Sequence, residues 1–188
     1  LLAGVAVNAV LGALISALLL FTNQFPELQA ILSWLIGGLR GRGWAHAGAI
    51  VVPVVLTTGL LFAFARDLNL MLLGEETAQG LGVNVARTRL VLLMLAALAT
   101  GAAVSIAGPI GFVGLVVPHM LRLIVGPDHR LLMPVSALGG AVFLVATDTL
   151  ARIIIQPTEL QVGIITNLLG APFFLVLLYR NRRLLRSL

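Results

Sequence analysis

The chain has 188 residues, 60% of them hydrophobic and 10% charged, with a mean hydropathy of +1.09. Soluble domains carry about 25% charged residues, so a soluble enzyme or nucleic-acid binder of this size is all but excluded. All twelve cations are Arg and, with seven acids, leave a formal net charge of +5; without Lys or Cys there is no P-loop, Schiff-base lysine, disulfide, thiol nucleophile or thiolate metal site. On so apolar a chain the excess positive charge points to membrane orientation, not to a polyanionic partner.

A helix crosses the hydrocarbon core with about 20 apolar residues. The first such stretch runs from Leu1 to Thr22; it opens without Met and without a basic segment, the pattern of a piece of a longer chain and not of a signal peptide. Leu28 to Leu39 is too short to span; it follows Pro26, carries Glu27 in its first turn and stops at Gly37-Gly38, the marks of a short re-entrant or bundle-packed helix. Ala45 to Ala65 and Leu90 to Ala107 are the next spans, then Ile110 to Val125, shorter and interrupted by Pro118-His119, then Leu131 to Leu150 and Val162 to Tyr179. The fold class expected is therefore all-α: a polytopic transmembrane bundle of about six spans with a short extra helix, packed through small residues such as Gly12, Gly101 and Gly139.

The connecting segments carry the charge unequally. Arg66, Arg87, Arg89, Arg122, Arg130, Arg180, Arg182, Arg183 and Arg186 fall on one side, and Arg40, Arg42 and Arg152 on the other. The positive-inside rule assigns the first group, with the C-terminal tail, to the cytoplasm. This alternation requires the Ile110–Val125 piece to cross. No acid or Arg sits at the centre of a span, where ion-coupled carriers place their relays. An uphill transporter built this way draws its energy from a partner.

Residues 66–89 form the longest inside loop, punctuated by Gly74, Gly80 and Gly82, with Leu72, Leu73, Ala78 and Leu81 as its apolar contacts. Two short helices about a Gly turn are expected, with Glu75 and Glu76 at the positive end of the second. An amphipathic connector and a docking surface for a cytoplasmic partner both fit these residues.

The run Gly74-Glu75-Glu76-Thr77-Ala78-Gln79-Gly80-Leu81-Gly82-Val83 resembles the coupling-helix motif of the FecCD-type, BtuC-like ABC importer permeases, which serve iron-siderophore, haem and cobalamin systems. Three more blocks agree in order: Gly108 to His119, Gly126 to Arg130 followed by Pro134 and Ser136 to Leu138, and Gly170 to Phe174. The resemblance covers essentially the whole chain and matches the C-terminal half of such permeases, with residues 1–188 as one permease domain.

The resemblance implies a conduit without covalent chemistry of its own, hence no catalytic residues, bound metal or cofactor. ATP and Mg belong to a separate cytoplasmic ATPase subunit, which Gly74, Glu75, Glu76, Ala78, Leu81 and Gly82 would contact. The other implied partners are a periplasmic or lipid-anchored substrate-binding protein, a second permease copy or half, and membrane lipid, with no nucleic acid. Arg152 matches an outward Arg that docks the binding protein, and Arg40 and Arg42 share its face. Leu28, Leu32 and Trp34 would line the pathway. Gln161 stands where the family usually has Pro.

Each site has a plainer reading. Asp148 and Arg152 are spaced for a local i,i+4 ion pair. His119 invites a haem- or metal-ligand reading but lies in a segment common to permeases of different cargo, and Asp128-His129-Arg130 suits a solvated helix cap. A fragment of a proton- or ion-coupled carrier and a non-transporting scaffold remain as other functions. The cargo is not legible.

Overall fold

A computed structural model describes residues 2–21, 25–154 and 160–185, all helical apart from turns and short connections. Leu1 and Thr22, which bound the first expected stretch, and Arg186, used above in the charge count, lie outside the described residues. Residues 1–35 and 36–188 form separate compact units. The first holds α1 (Leu2–Phe21), 20 residues and thus about 30 Å long, and most of α2 (Phe25–Ile36), which ends one residue before the expected Gly37-Gly38 stop.

The second unit contains α3 (Trp44–Ala63), α4 (Ala65–Met71), α5 (Glu75–Gly80), α6 (Val85–Ala107), α7 (Val113–Val125), α8 (His129–Ile154) and α9 (Val162–Leu185). α3 packs along α6, and α7 lies antiparallel along α8 and against α9. Of the described helices, α1, α3, α6, α8 and α9 are long and apolar enough to cross a membrane. In α3, α6, α8 and α9 no more than 28% of the span window is buried, so most of their apolar surface is left for lipid or further helices. Two buried threonines are satisfied within their own helix: Thr57 Oγ1 donates to Pro53 O at 2.7 Å and Thr147 Oγ1 to Phe143 O at 2.7 Å. Such back-bonding keeps a polar side chain tolerable in an apolar helix.

The sixth crossing differs from expectation. α7 has only 13 residues, about 20 Å of helix. Gly108-Pro109 stops α6, since Pro offers no N–H and disfavours helix at the residue before it. The chain then continues unwound to Phe112, where α7 is capped. This stretch is threaded between glycines. Gly38 N donates to Ala107 O at 2.7 Å, and Gly163 N to Gly37 O at 3.0 Å. A Cβ on Gly163 would stand 1.9 Å from Ile36 O, and one on Gly111 2.5 Å from Asn167 Oδ1. Asn167 and Gly170 lie five and eight residues inside α9, about 8–12 Å along its axis. The unwound stretch and α7 together extend close to the ~30 Å of a bilayer core.

Phe112 is the strained link. It has φ 65°, which costs a non-glycine residue about 1–2 kcal/mol, and its ring fills the notch left by Gly170, where a Cβ would be 2.2 Å from Phe112 Cβ. Replacing Gly170 by Ala should therefore cost about 1–3 kcal/mol by overpacking. In a Phe112→Gly background the same change should cost much less, and a double-mutant cycle on unfolding of the full-length protein in detergent checks it.

Candidate functional site

The loop between α3 and α6 folds on a small core. Ala78 is fully buried, and with Val83 and Val85 it makes a cluster against which Leu70 and Met71 pack. Gly74 caps α5 at φ 106°, Gly82 turns out of it at φ 89°, and Val83 N returns to Ala78 O at 3.0 Å. Asn84 then caps α6, its side chain accepting from Arg87 N at 3.1 Å. Glu75 and Glu76 stand exposed in the first turn of α5. Glu75 pairs with Arg89, both more than half exposed, so the pair adds little stability.

These residues divide by face. Ala78 is turned inward and acts as the foot of the loop, while Leu72, Leu73 and Leu81 are 54%, 64% and 56% exposed. Three exposed leucines beside two carboxylates, on a preformed turn, make a compact amphipathic surface suited to a protein partner.

Asn69 was not singled out in the sequence, although it is the one amide between Leu68 and Leu70 in an otherwise apolar turn. Its Nδ2 donates to Asp128 Oδ1 at 2.5 Å, and its Oδ1 accepts from His129 N at 2.8 Å and meets His129 Nδ1 at 2.9 Å. Asp128 Oδ1 also accepts from Arg130 N at 2.9 Å. Asp128-His129-Arg130 is therefore a helix cap, as its plainer reading held, and also the point where α4 is tied to α8. The Arg130 N–H, and after it the Asn69 amide, hold the Asp128 carboxyl below its ordinary value of 3.8.

At the opposite end of α8, Arg152 Nε donates to Asp148 Oδ2 at 2.8 Å, the local i,i+4 pair. A cavity of about 860 Å³ opens there between the start of α3, the last turns of α6 and residues 108–114; Arg42, His46 and Arg152 are the ionisable residues on its wall. Arg42 and Arg152, far apart in sequence, thus share one site. Trp44 beside them is almost wholly exposed, as a membrane-interface Trp should be. Gln161 sets its Oε1 2.3 Å from where a Cβ on Gly38 would stand. His119 packs edge-on against Phe173, with ring centroids 6.0 Å apart.

Within the first unit, Leu28 and Leu32 lie one turn apart on one face of α2. Trp34 is two residues beyond Leu32, about 200° around the helix, so α2 does not present the three together.

Five long apolar helices, with arginines gathered at both ends of the second unit, define a multi-pass helical membrane protein. Residues 1–180 match the FecCD transport family, and the chain belongs to that family. It is 54% identical over 178 residues to the cobalamin import system permease protein BtuC of Halobacterium salinarum, covering 95% of this chain and 47% of that protein. It is 46% identical to the hemin transport system permease protein HmuU of Yersinia pestis over 97% of this chain and 54% of that protein. The Fe(3+) dicitrate transport system permease protein FecD of Escherichia coli is likewise 46% identical, over 96% of this chain and 56% of its own length. A solved structure described as an inward-facing conformation of a metal-chelate type ABC transporter superposes with a TM-score of 0.84 at 34% identity, over 94% of this chain and 57% of that one. The chain spans about half the length of these relatives.

Because the folded pKa of Asp128 is lowered, its ionised form favours the folded state. That contribution is full above the ordinary carboxylate range and is lost as pH falls through the depressed folded value. The stability difference between wild type and Asp128→Asn should thus be constant from neutrality to about pH 5 and shrink below about pH 4. Thermal midpoints across that range measure it.

Proposed function

We propose that the chain forms half of the permease of an ATP-binding-cassette importer, carrying an iron chelate, haem or corrinoid inward by alternating access. The observation that carries this reading is the α4–α5 turn: a rigid fold standing on Ala78, with Leu72, Leu73, Leu81 and the two glutamates outward. In this reading the turn is a coupling loop, residues 66–89, seated on a cytoplasmic ATPase that holds ATP and Mg. Residues 1–188 belong to one permease domain in a bacterial or archaeal cytoplasmic membrane, paired with a second copy or half. The loop end and the C-terminus face the cytoplasm, which accords with Arg66, Arg87, Arg89, Arg122 and Arg130 lying toward that end.

The opposite end then faces the substrate-binding protein, with Arg152 as its contact and Arg42 beside it. Asp148 orients the Arg152 guanidinium, and since half of that side chain remains exposed, the local pair and a docking role are compatible. Leu28 and Leu32 are the residues of α2 assigned to the pathway wall, and Trp34 serves another face. A secondary carrier is disfavoured because the described acids Glu27, Asp67, Glu75, Glu76 and Asp128 lie near helix ends or in connections, and Asp148, six residues from the end of α8, is already paired.

Reconstitution of the full-length protein with ATPase and binding protein tests the reading through cargo-dependent ATP hydrolysis. Gly82→Val with Glu75→Ala and Glu76→Ala should lower cargo uptake per ATP hydrolysed by about tenfold, within the range of coupling between sites; unchanged uptake per ATP would remove the loop from coupling. Arg152→Glu should weaken binding-protein affinity by about tenfold, or 1.4 kcal/mol. Unaltered affinity would favour the local pair with Asp148 over a docking role.

A further inference from the structure

We propose that Asn69 is a positioning residue that clamps the α4–α5 turn to the first turn of α8, so that a displacement imposed on α5 is carried into α8. The inference rests on the coupling reading above and adds the route by which the loop acts on the bundle.

Three observations support it. First, α4 and α5 share one core, Leu70 and Met71 packing on Ala78, whereas the helix is interrupted between α3 and α4. Phe64, between α3 and α4, departs from helical geometry (φ −87°, ψ 4°). Displacement of the turn is therefore not passed rigidly along the backbone into α3.

Second, the Asn69 amide is engaged at both ends, with Nδ2 on Asp128 and Oδ1 on the backbone N–H and ring of His129. α4 also packs along α8, but apolar contact is non-directional and permits sliding. Hydrogen bonds from both ends of one planar amide fix register and angle. An Asn inside an apolar helical turn is unfavourable for the helix, which its use as a tether explains.

Third, α8 is a single helix of 26 residues, about 39 Å long, with Asp128 just before one end and Arg152 near the other. It also holds Gly139 against Val117 and Leu121 of α7. α8 runs on as one helix past Pro134, so a shift at the clamp is carried along it to α7 and to the Arg42–Arg152 cavity.

Hydrogen exchange of the full-length transporter, assembled with its ATPase in nanodiscs and compared with and without ATP and vanadate, tests the clamp. In wild type, nucleotide should alter exchange in residues 74–83 and in residues 131–138 of α8. In Asn69→Ala the first change should persist and the second should fall by about fivefold, with a matching loss of cargo uptake per ATP. Asn69→Asp, which sets a second carboxylate against Asp128, should behave the same way. Asp128→Asn keeps an Oδ1 acceptor for both donors and should retain the wild-type pattern, a result that mere loss of local structure would not produce.

An α8 response that survives intact in both Asn69 variants overturns the clamp while leaving the coupling loop standing. Loss of the α8 response in Asp128→Asn as well also overturns it, because the hydrogen bonds would not be what matters. A wild-type loop that ignores nucleotide overturns the coupling reading and the clamp together.

Discussion

The backbone of a membrane-embedded segment has no water to bond to, so any stretch that is not helical must be enclosed by protein. Residues 108–112 are a non-helical stretch among apolar helices; they line the cavity on one side, and on the other much of the second unit is arranged to hold them. Gly37, Gly38, Gly111, Gly163 and Gly170 bring neighbouring segments within reach, closer than a Cβ on any of them would permit. Asn167 lies against Gly111, and Phe112 adopts a backbone conformation that few large residues tolerate because its ring has a place at Gly170. The depth at which α7 begins follows from this knot, and with it the position of the turn into α8.

From that turn the two ends of the unit acquire different character. One end is built on Ala151, Val162 and Ile165, with Ile110 packed against them, and there the corner between α6 and α7 opens the cavity that gathers Arg42, His46 and Arg152. The other end is built on Ala78, Val83 and Val85 and presents leucines and glutamates outward. α8 joins them, beginning at the Asn69–Asp128 contact and carrying Arg152 near its far end. In the proposed transporter α8 would be the link between these ends. Gly139 lets Val117 and Leu121 of α7 close on α8, and Asn69 of α4 meets α8 at its first turn, so both contacts fall on α8.

The family relation and the individual side chains speak to different questions. Relatives of cobalamin, hemin and ferric dicitrate systems match this chain at comparable identity over comparable lengths, so membership alone does not choose a cargo. The glycines of the knot and the turn at Ala78 concern how the bundle is built and moved.

Periodic and compositional features were legible in the sequence because they are local. The apolar lengths of α1, α3, α6, α8 and α9 follow from the bilayer's thickness, the end of α6 from Gly108-Pro109, and the segregation of arginine from the cost of moving charge across lipid. The i,i+4 pairing of Asp148 with Arg152 was visible for the same reason, as was the loop with its glycines. Tertiary structure decided what depends on residues distant in the chain. These include the division of the sixth crossing into an unwound stretch and a short helix, the turning of Ala78 inward while Leu81 faces out, and the meeting of Arg42 with Arg152. Asn69 is the clearest case. An amide between two leucines has no meaning until the residue it bonds, 59 positions later in the chain, is folded against it.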